Sequence, residues 1–485
     1  MAASKSQLSS EPSSPPVVAS GRPTALSGAD EPIDPQTKRV LIAISIGGIA
    51  AIMDTTIVTI ALHDLIHDMH TTVSTIQWVT TAYLLALTAS IPTVGWAEAR
   101  LGGKRLWLLA LVVFLVGSAL CAVSWDALSL IIFRVFQGFG AGALLTLMQT
   151  LAMRASKGRA AARVTAAMGL PIAAGPVLGP VLGGMLLTWI GWRWIFLINA
   201  PLCLVGIWAA IKFIPPFKPE AEGERPPLDL IGLLLLAPGL SLLLYGLSRC
   251  GQSGTAAGLT VAAIIAGIAL IVIFLGWAFK RQERALIDVR LFSRRSVGSS
   301  SLMMFLAGVT LFGAMFLLPL YWQELRGKNA LDAALLLIPQ GIGALLVRIF
   351  IARITTRLGA PLVCCIAFVI ATIATIPFAL AGSSTNEFWL GAVLVLRGIG
   401  MGAVITPVIS SAYIGLERAA IPHASMQTRL MQQVGGAFGT AVAAMLLQAL
   451  ATSGNPAHAF KGAFWVCTAM TAVAALASFT LPAKR

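Results

Sequence analysis

From Val40 almost to its end, the chain alternates apolar stretches of about 20 residues with short polar turns. A helix rises about 1.5 Å per residue, so each stretch is long enough to cross the roughly 30 Å hydrocarbon core of a bilayer. Fourteen such spans are predicted, centred near residues 51, 84, 114, 140, 174, 204, 238, 267, 309, 341, 371, 398, 438 and 470. An even number returns both termini to one side. Residues 1–37 break the pattern: the first 36 hold eight Ser and six Pro and lack the apolar core of a signal peptide, so a disordered tail is expected there.

Composition agrees with a polytopic helical membrane protein. Hydrophobic residues make up 57% of the 485 and charged residues only 11%, which excludes a water-soluble globule. The net charge of +15 does not point to nucleic acid, because no soluble domain exists to carry a basic face. It reads instead as topology, since Lys and Arg near span ends are retained in the cytoplasm. With both termini cytoplasmic, 27 basic residues fall inside and five (Arg193, Arg249, Arg326, Lys328, Lys461) outside, leaving Arg134 and Arg397 within spans. The plasma membrane is the expected location. The densest basic segment, Lys280–Arg295, reads as topological retention, with lipid headgroup contact as the alternative. The six cysteines lie in or beside apolar runs without metal-ligand spacing, as small apolar residues do.

An internal repeat refines the architecture. Adding 260 carries Gly138, Gly140, Gly142, Gly175 and Gly179 onto Gly398, Gly400, Gly402, Gly435 and Gly439. Adding 257 carries Arg100, Leu101 and Gly102 onto Arg357, Leu358 and Gly359. The copies are eight spans apart and so face the same way, as in transporters whose halves are related by an axis along the membrane normal. The expected organisation is the tail (1–37), a six-helix bundle (38–214), a linker bearing two extra helices (215–297) and a second six-helix bundle (298–483).

Chemistry concentrates in few positions. An ionised carboxylate at Asp54 inside the first span costs several kcal/mol without a partner or water, which marks a functional candidate. Arg134 in the fourth span is expected at the same depth, so a change in their separation would alter proton affinity. The alternative is a static pair that orients two helices. Gln137, one turn along from Arg134, would either bind substrate or bond a neighbouring helix; Asp54 is the other candidate for substrate contact. Span 5 reads GLPIAAGPVLGPVLGG, and its Gly175, Pro176, Gly179, Pro180, Gly183 and Gly184 describe a kinked, smooth-faced helix suited to a moving interface, or a purely structural kink. His63, Asp64, His67, Asp68 and His70 follow span 1; a metal or pH-sensing site competes there with a solvated loop, and the loop is the expectation. Trp192, Arg193 and Trp194 read as interfacial anchors rather than a substrate vestibule.

Taken together, MDTTIVTIAL with Asp54, QWVTTAYLLA from Gln77, RVFQGFGAG (Arg134–Gly142), GPVLGG (Gly179–Gly184), WRWIFLINAP, LPLYWQ and QQVGGAFGTA resemble the major facilitator superfamily. Within it, the resemblance is to the fourteen-span drug:proton antiporters of the EmrB/QacA type, over residues 38–483. The resemblance implies two six-helix halves rocking about a central cavity, with proton influx driving export. It gives Asp54 and Arg134 a part in coupling, and packs the GPVLGG helix against the other half at a surface including Gly341 and Gly343. The family's cytoplasmic gate loop, GxLADRxGRR, is GWAEARLGGKR here, a candidate gate loop of Gly95, Glu98, Arg100, Gly102, Lys104 and Arg105 that has Ala99 where the family has Asp, with Glu98, one residue earlier, as the candidate substitute. Its ALP at the end of span 1 is Ala61, Leu62, His63.

No GxxxxGK[ST] is present to cradle a nucleotide, so a proton gradient is the expected energy source, with no cofactor and no metal. No channel filter and no HExxH or nucleophile constellation is visible, which leaves a non-enzymatic transporter. Antiport of amphipathic drugs, antibiotics or related compounds is expected, with nutrient symport the nearest alternative. The expected partners are a small-molecule substrate and the bilayer. The chain is expected to be monomeric, with a periplasmic adaptor conceivable in a double-membrane cell.

Overall fold

The computed structural model describes residues 34–155, 175, 178–216, 228–249, 257–281, 285–287, 289–382, 385–416, 421–451 and 456–482. Fourteen helices follow in order: α1 (Pro35–Asp68), α2 (Val73–Leu101), α3 (Gly103–Ala122), α4 (Ala127–Ala155), α5 (Leu178–Trp189), α6 (Arg193–Phe213), α7 (Leu230–Arg249), α8 (Ala257–Arg281), α9 (Arg295–Leu320), α10 (Ala330–Leu358), α11 (Ala360–Leu380), α12 (Glu387–Ala412), α13 (Ile421–Ala451) and α14 (Pro456–Ala477). All but α5 are long and apolar enough to cross a membrane. The first part of the fifth expected span, including Pro171 and Pro176, lies outside the described residues.

Local chemistry sets the helix ends. The Asp34 carboxylate accepts from the backbone N–H groups of Gln36 and Thr37, and Pro35 occupies the first turn, where its missing N–H costs nothing. Thr72 caps α2 through Thr75 N–H. At the other end of α2, Gly102 turns the chain at φ 77°, ψ 152°; the repeat-related Gly359 does the same after α10 at φ 81°, ψ 153°. Only glycine adopts such a backbone without strain, so the RLG repeat is a duplicated turn. The repeat extends to packing. A Cβ on Gly140 would lie 2.7 Å from Phe114 N, and one on Gly400 would lie 2.6 Å from Ala367 O, so α4 rests on α3 as α12 rests on α11. Gly138 likewise abuts Tyr83 and Gly398 abuts Gln340, residues themselves 257 apart.

The buried core distinguishes the two ends of the bundle, here termed the terminal side (where α1 begins and α14 ends) and the far side. On the far side one apolar cluster joins both halves: Ile57, Ile60 and Leu65 of α1 pack in the same body as Leu317, Trp322, Ala334, Leu447 and Phe464. Towards the terminal side the core divides: one cluster, built around Trp107, Leu144 and Leu147, takes in Phe312, Ala437 and Ala441 of the second half, and another, around Met304, Phe368 and Val404, lies within the second half. Hydrogen bonds between the halves also sit on the far side: Thr81 with Thr440 (2.9 Å), Ser74 N–H to Gln448 Oε1 (3.1 Å) and Gln323 Nε2 to Ile60 O (3.0 Å). Among the described residues the far side is therefore closed.

Of the glycines of the fifth span, Gly184 meets the other half as the resemblance implies, and the others do not. Gly175, Gly179 and Gly183, spaced four apart and hence on one stripe, press on Ile52, Thr56 and Ile57–Ile60 of α1 within the same half. Gly184, turned about 100° further round, meets α10, at Ala330, Leu331 and Ala334 rather than at Gly341 and Gly343. Gly343 abuts α12 at Val395 and Ile399. A stripe of small residues specifies close approach, not the identity of the neighbour, and α1 is the nearer partner.

Helices α7 and α8 pair with each other, and α7 lies against α2 and α13. Their base is fastened by one carboxylate: buried Asp229 accepts from Gly232 N–H (3.0 Å), Trp277 Nε1 (2.9 Å) and Leu286 N–H (2.9 Å), with Arg281 Nη1 at 4.0 Å. Replacing Asp229 by Ala strands three donors at about 1–3 kcal/mol each. Hydrogen exchange in α7 and α8 is therefore expected to accelerate while α3 and α4 keep their protection. Gly140→Val puts a side chain against the α3 backbone, which cannot swing aside; a loss of at least about 1–3 kcal/mol, seen as a lower unfolding temperature in detergent, is expected.

Candidate functional site

Asp54 has no exposed surface and lies at the centre of a polar network built by five helices of the first half. Its Oδ2 accepts from Arg134 Nη1 at 2.5 Å. Its Oδ1 accepts from Gln137 Nε2 and from Asn199 Nδ2, each at 3.0 Å. Arg134, itself 1% exposed, also donates through Nη1 to Gln137 Oε1 (2.7 Å) and through Nε to Val79 O of α2 (3.1 Å). Its guanidinium carbon sits 3.9 Å from the centre of the Tyr83 ring, a cation–π contact. Ser118 completes the network. Its Oγ accepts from Gln137 (3.0 Å) and Asn199 (2.9 Å) and donates to Phe196 O (2.8 Å).

The sequence explains this arrangement locally. Arg134 and Gln137 are three apart on α4 and so share a face. Gly117 lets α3 lie directly on that face, since a Cβ there would be 2.7 Å from Gln137 Cα; the next residue, Ser118, is thereby brought to the amide. Helix α6 breaks at Ile198, and Asn199 restarts it, which presents the amide inward. A buried charge pair is tolerable only when its remaining hydrogen-bonding capacity is filled. Both Asp54 oxygens are filled here, and every donor reaching them except Arg134 is neutral.

Asp54, Arg134 and Gln137 thus come together as the sequence predicts, and the expected equality of depth becomes a direct ion pair. Gln137 has no exposed surface, and its amide is committed to Asp54 and Ser118, the helix-bonding arrangement of the two readings. Asn199, Ser118 and Tyr83 are site residues that the sequence reading did not single out. A lone asparagine inside WRWIFLINAP was the available signal for the first.

The terminal-side turn after α2 is mostly helical: Gly95, Glu98 and Arg100 belong to the last turns of α2, and Lys104 and Arg105 to the start of α3. Each described contact stays within the first half. Buried Glu98 pairs with Arg154 of α4 at 3.3 Å, Arg100 lies over Trp96, and Lys104 Nζ donates to Ile211 O of α6 at 2.8 Å. In the second half Arg397 is 1% exposed and donates to Gln340 Oε1 (3.0 Å) and Thr310 O (3.2 Å); no carboxylate lies within 4 Å of it among the described residues. The two halves share a frame but not their charge balance.

The histidine segment differs from the expected solvated loop. Helix α1 continues to Asp68, so His63 and His67 are helical, with their rings 4.6 Å apart edge to face. No three His, Cys, Asp or Glu side chains among the described residues are grouped to hold a metal. Trp192 is buried in the far-side core, against Phe196, while Trp194 is exposed as an interfacial anchor would be.

Solved structures of similar shape include transporters. The D-xylose-proton symporter aligns with a TM-score of 0.65 over 92% of this chain and 98% of its own at 15% identity. An auto-inhibited POT family peptide transporter aligns with a TM-score of 0.62 over 91% and 95% at 18% identity. In sequence, the chain is 35% identical over 436 residues to the multidrug resistance protein B homolog of Mycobacterium tuberculosis, covering 89% of this chain and 80% of that one. It is 29% identical over 374 residues to the riboflavin transporter RibZ of Clostridioides difficile, covering 77% and 80%. The profile of the Major Facilitator Superfamily matches residues 44–440. The chain is an all-helical membrane transporter and belongs to the major facilitator superfamily.

Proposed function

We propose that this transporter is a proton-coupled antiporter that exports amphipathic organic compounds, drugs and antibiotics among them, from the cytoplasm across the plasma membrane. The observation that carries the reading is the Asp54–Arg134 pair, wholly buried yet surrounded by hydrogen-bonding side chains that can rearrange. Protonating Asp54 removes the attraction that holds Arg134, so proton binding and helix position become a single equilibrium. The 35% identity to a protein named for multidrug resistance supports the substrate class.

In this reading the terminal side is cytoplasmic, in keeping with the distribution of Lys and Arg. Helices α1–α6 and α9–α14 are the two rocking bundles, residues 215–297 link them, and the closed far side is the outer gate. Gly175, Gly179 and Gly183 tie α5 to α1, so movement of one carries the other, while Gly184 rides on α10. Asp54 and Gln137 reach substrate only if the network opens during the cycle. The chain works as a monomer on the proton gradient alone. Import of a nutrient is the second reading, favoured by the relative named a riboflavin transporter.

Proteoliposomes with an imposed pH gradient decide between them. Antiport moves a dye such as ethidium against the direction of proton flow, symport moves solute with it, and collapse of ΔpH and voltage by ionophores abolishes either. Asp54→Asn is expected to retain folding, checked by its unfolding temperature, and to lose gradient-driven transport by at least about 100-fold, the equivalent of about 2.7 kcal/mol of lost coupling. Asn199→Leu removes one donor from the carboxylate. Transport is expected to persist with its pH profile displaced to higher pH, a change that a merely structural asparagine would not produce.

A further inference from the structure

The far-side closure contains a titratable contact that neither coupling residue supplies. His63 on α1 and Glu324 on the turn that follows α9 belong to opposite halves, and His63 Nδ1 lies 3.7 Å from Glu324 Oε1. That separation is an ion-pair distance and exceeds a hydrogen bond, and Nδ1 is shielded from solvent with no hydrogen-bond partner. Both side chains are otherwise 26% exposed, so protons reach the pair from the far side. The contact sits beside a fixed seam. Gln323, the neighbour of Glu324, donates to Ile60 O, one turn before His63.

The backbone bearing Glu324 is a π-helical turn, Tyr321–Leu325, whose widened loop projects Gln323 and Glu324 towards α1. The nearby cations on this strand of chain are engaged elsewhere. Arg326 donates to Gly382 O (2.8 Å) and Thr385 O (2.6 Å), and Lys328 pairs with Glu387 at 2.7 Å. Among the described residues His63 is the cation-forming side chain within 4 Å of Glu324. On the last two turns of α1 the other titratable groups are Asp64, His67 and Asp68, and the two carboxylates favour a charged imidazole as well.

We propose that His63 and Glu324 form a second proton-binding site, a latch that holds the far-side gate shut when His63 is protonated. A neutral imidazole at this distance gives Glu324 nothing in return for its partial burial; an imidazolium gives it a counter-charge. The attraction exists only while the halves are closed, so protonation and closure stabilise each other, and acidity on the far side favours the closed state. An ordinary histidine titrates near 6.5, within the range a cell surface experiences. Along α1 the latch stands about 13 Å from Asp54, so a shift of that helix moves both. The transport meaning of the latch rests on the antiport reading above, whereas its existence is measurable without any transport.

The test is a far-side distance measured between halves in nanodiscs, with no substrate and no gradient, using non-natural spin-labelled residues at exposed Val123 and Phe388. Raising pH from 5.5 to 8.5 is expected to increase the ratio of open to closed distances by about fivefold or more in the native sequence. His63→Gln and Glu324→Gln should each reduce that change to less than about twofold, with His67→Gln retaining it. His63→Lys, a permanent cation, should hold the closed distance at both pH values, an outcome a misfolded protein cannot imitate. The proposal is overturned if His63→Gln responds to pH as the native sequence does, if His67→Gln abolishes the response equally, or if only Asp54→Asn removes it. Loss of dye transport with an intact latch would instead defeat the antiport reading alone.

Discussion

A charge cannot be left alone in a hydrocarbon-thick bundle, and the first half of this transporter is arranged around that constraint. Asp54 needs a cation and two further donors; Arg134 needs an anion, carbonyl acceptors and a ring face. Supplying them draws side chains from α1, α2, α3, α4 and α6 to one point, so the positions of five helices are linked through a single carboxylate. Replacing either Asp54 or Arg134 by a neutral residue would therefore disturb all five helices, because removing one member of such a pair leaves the other uncompensated.

The second half repeats the scaffold without repeating the charge. The glycine contacts and left-handed turns recur with offsets of 257 and 260, yet Tyr83, which lies beneath Arg134, is replaced by Gln340, which accepts from Arg397. Duplicated backbone packing thus goes with divergent polar content: the first bundle holds a buried ion pair, and the second a buried Arg397 bonded to neutral acceptors. In the far-side cluster the two bundles meet, through Trp322, Ala334 and Leu447 on one part and Ile57, Ile60 and Leu65 on the other.

Much of this was legible in the sequence. Apolar length gave the spans, because hydrocarbon thickness leaves little freedom. Asp54 and Arg134 stood out, because ionisable residues are rare at such depth. Asn199 and Ser118 did not, since neutral polar side chains occur in spans for many reasons and only proximity reveals a shared partner. The glycine stripe of α5 announced a close neighbour but could not say that the neighbour was α1. Hydropathy ends where the apolar residues end, whereas hydrogen bonding carries α1 to Asp68, so His63 lies on the helix and not in a loop. The contact with Glu324 joins positions 261 apart, beyond any local rule.

The hairpin of α7 and α8 also breaks the symmetry of the bundle with respect to the surrounding lipid. By lying along α2 and α13 it roofs one of the two seams between the halves, while no described helix outside the two six-helix bundles covers the seam flanked by α5 and α10. Among the described residues the molecule thus has one shuttered flank and one flank without such a cover.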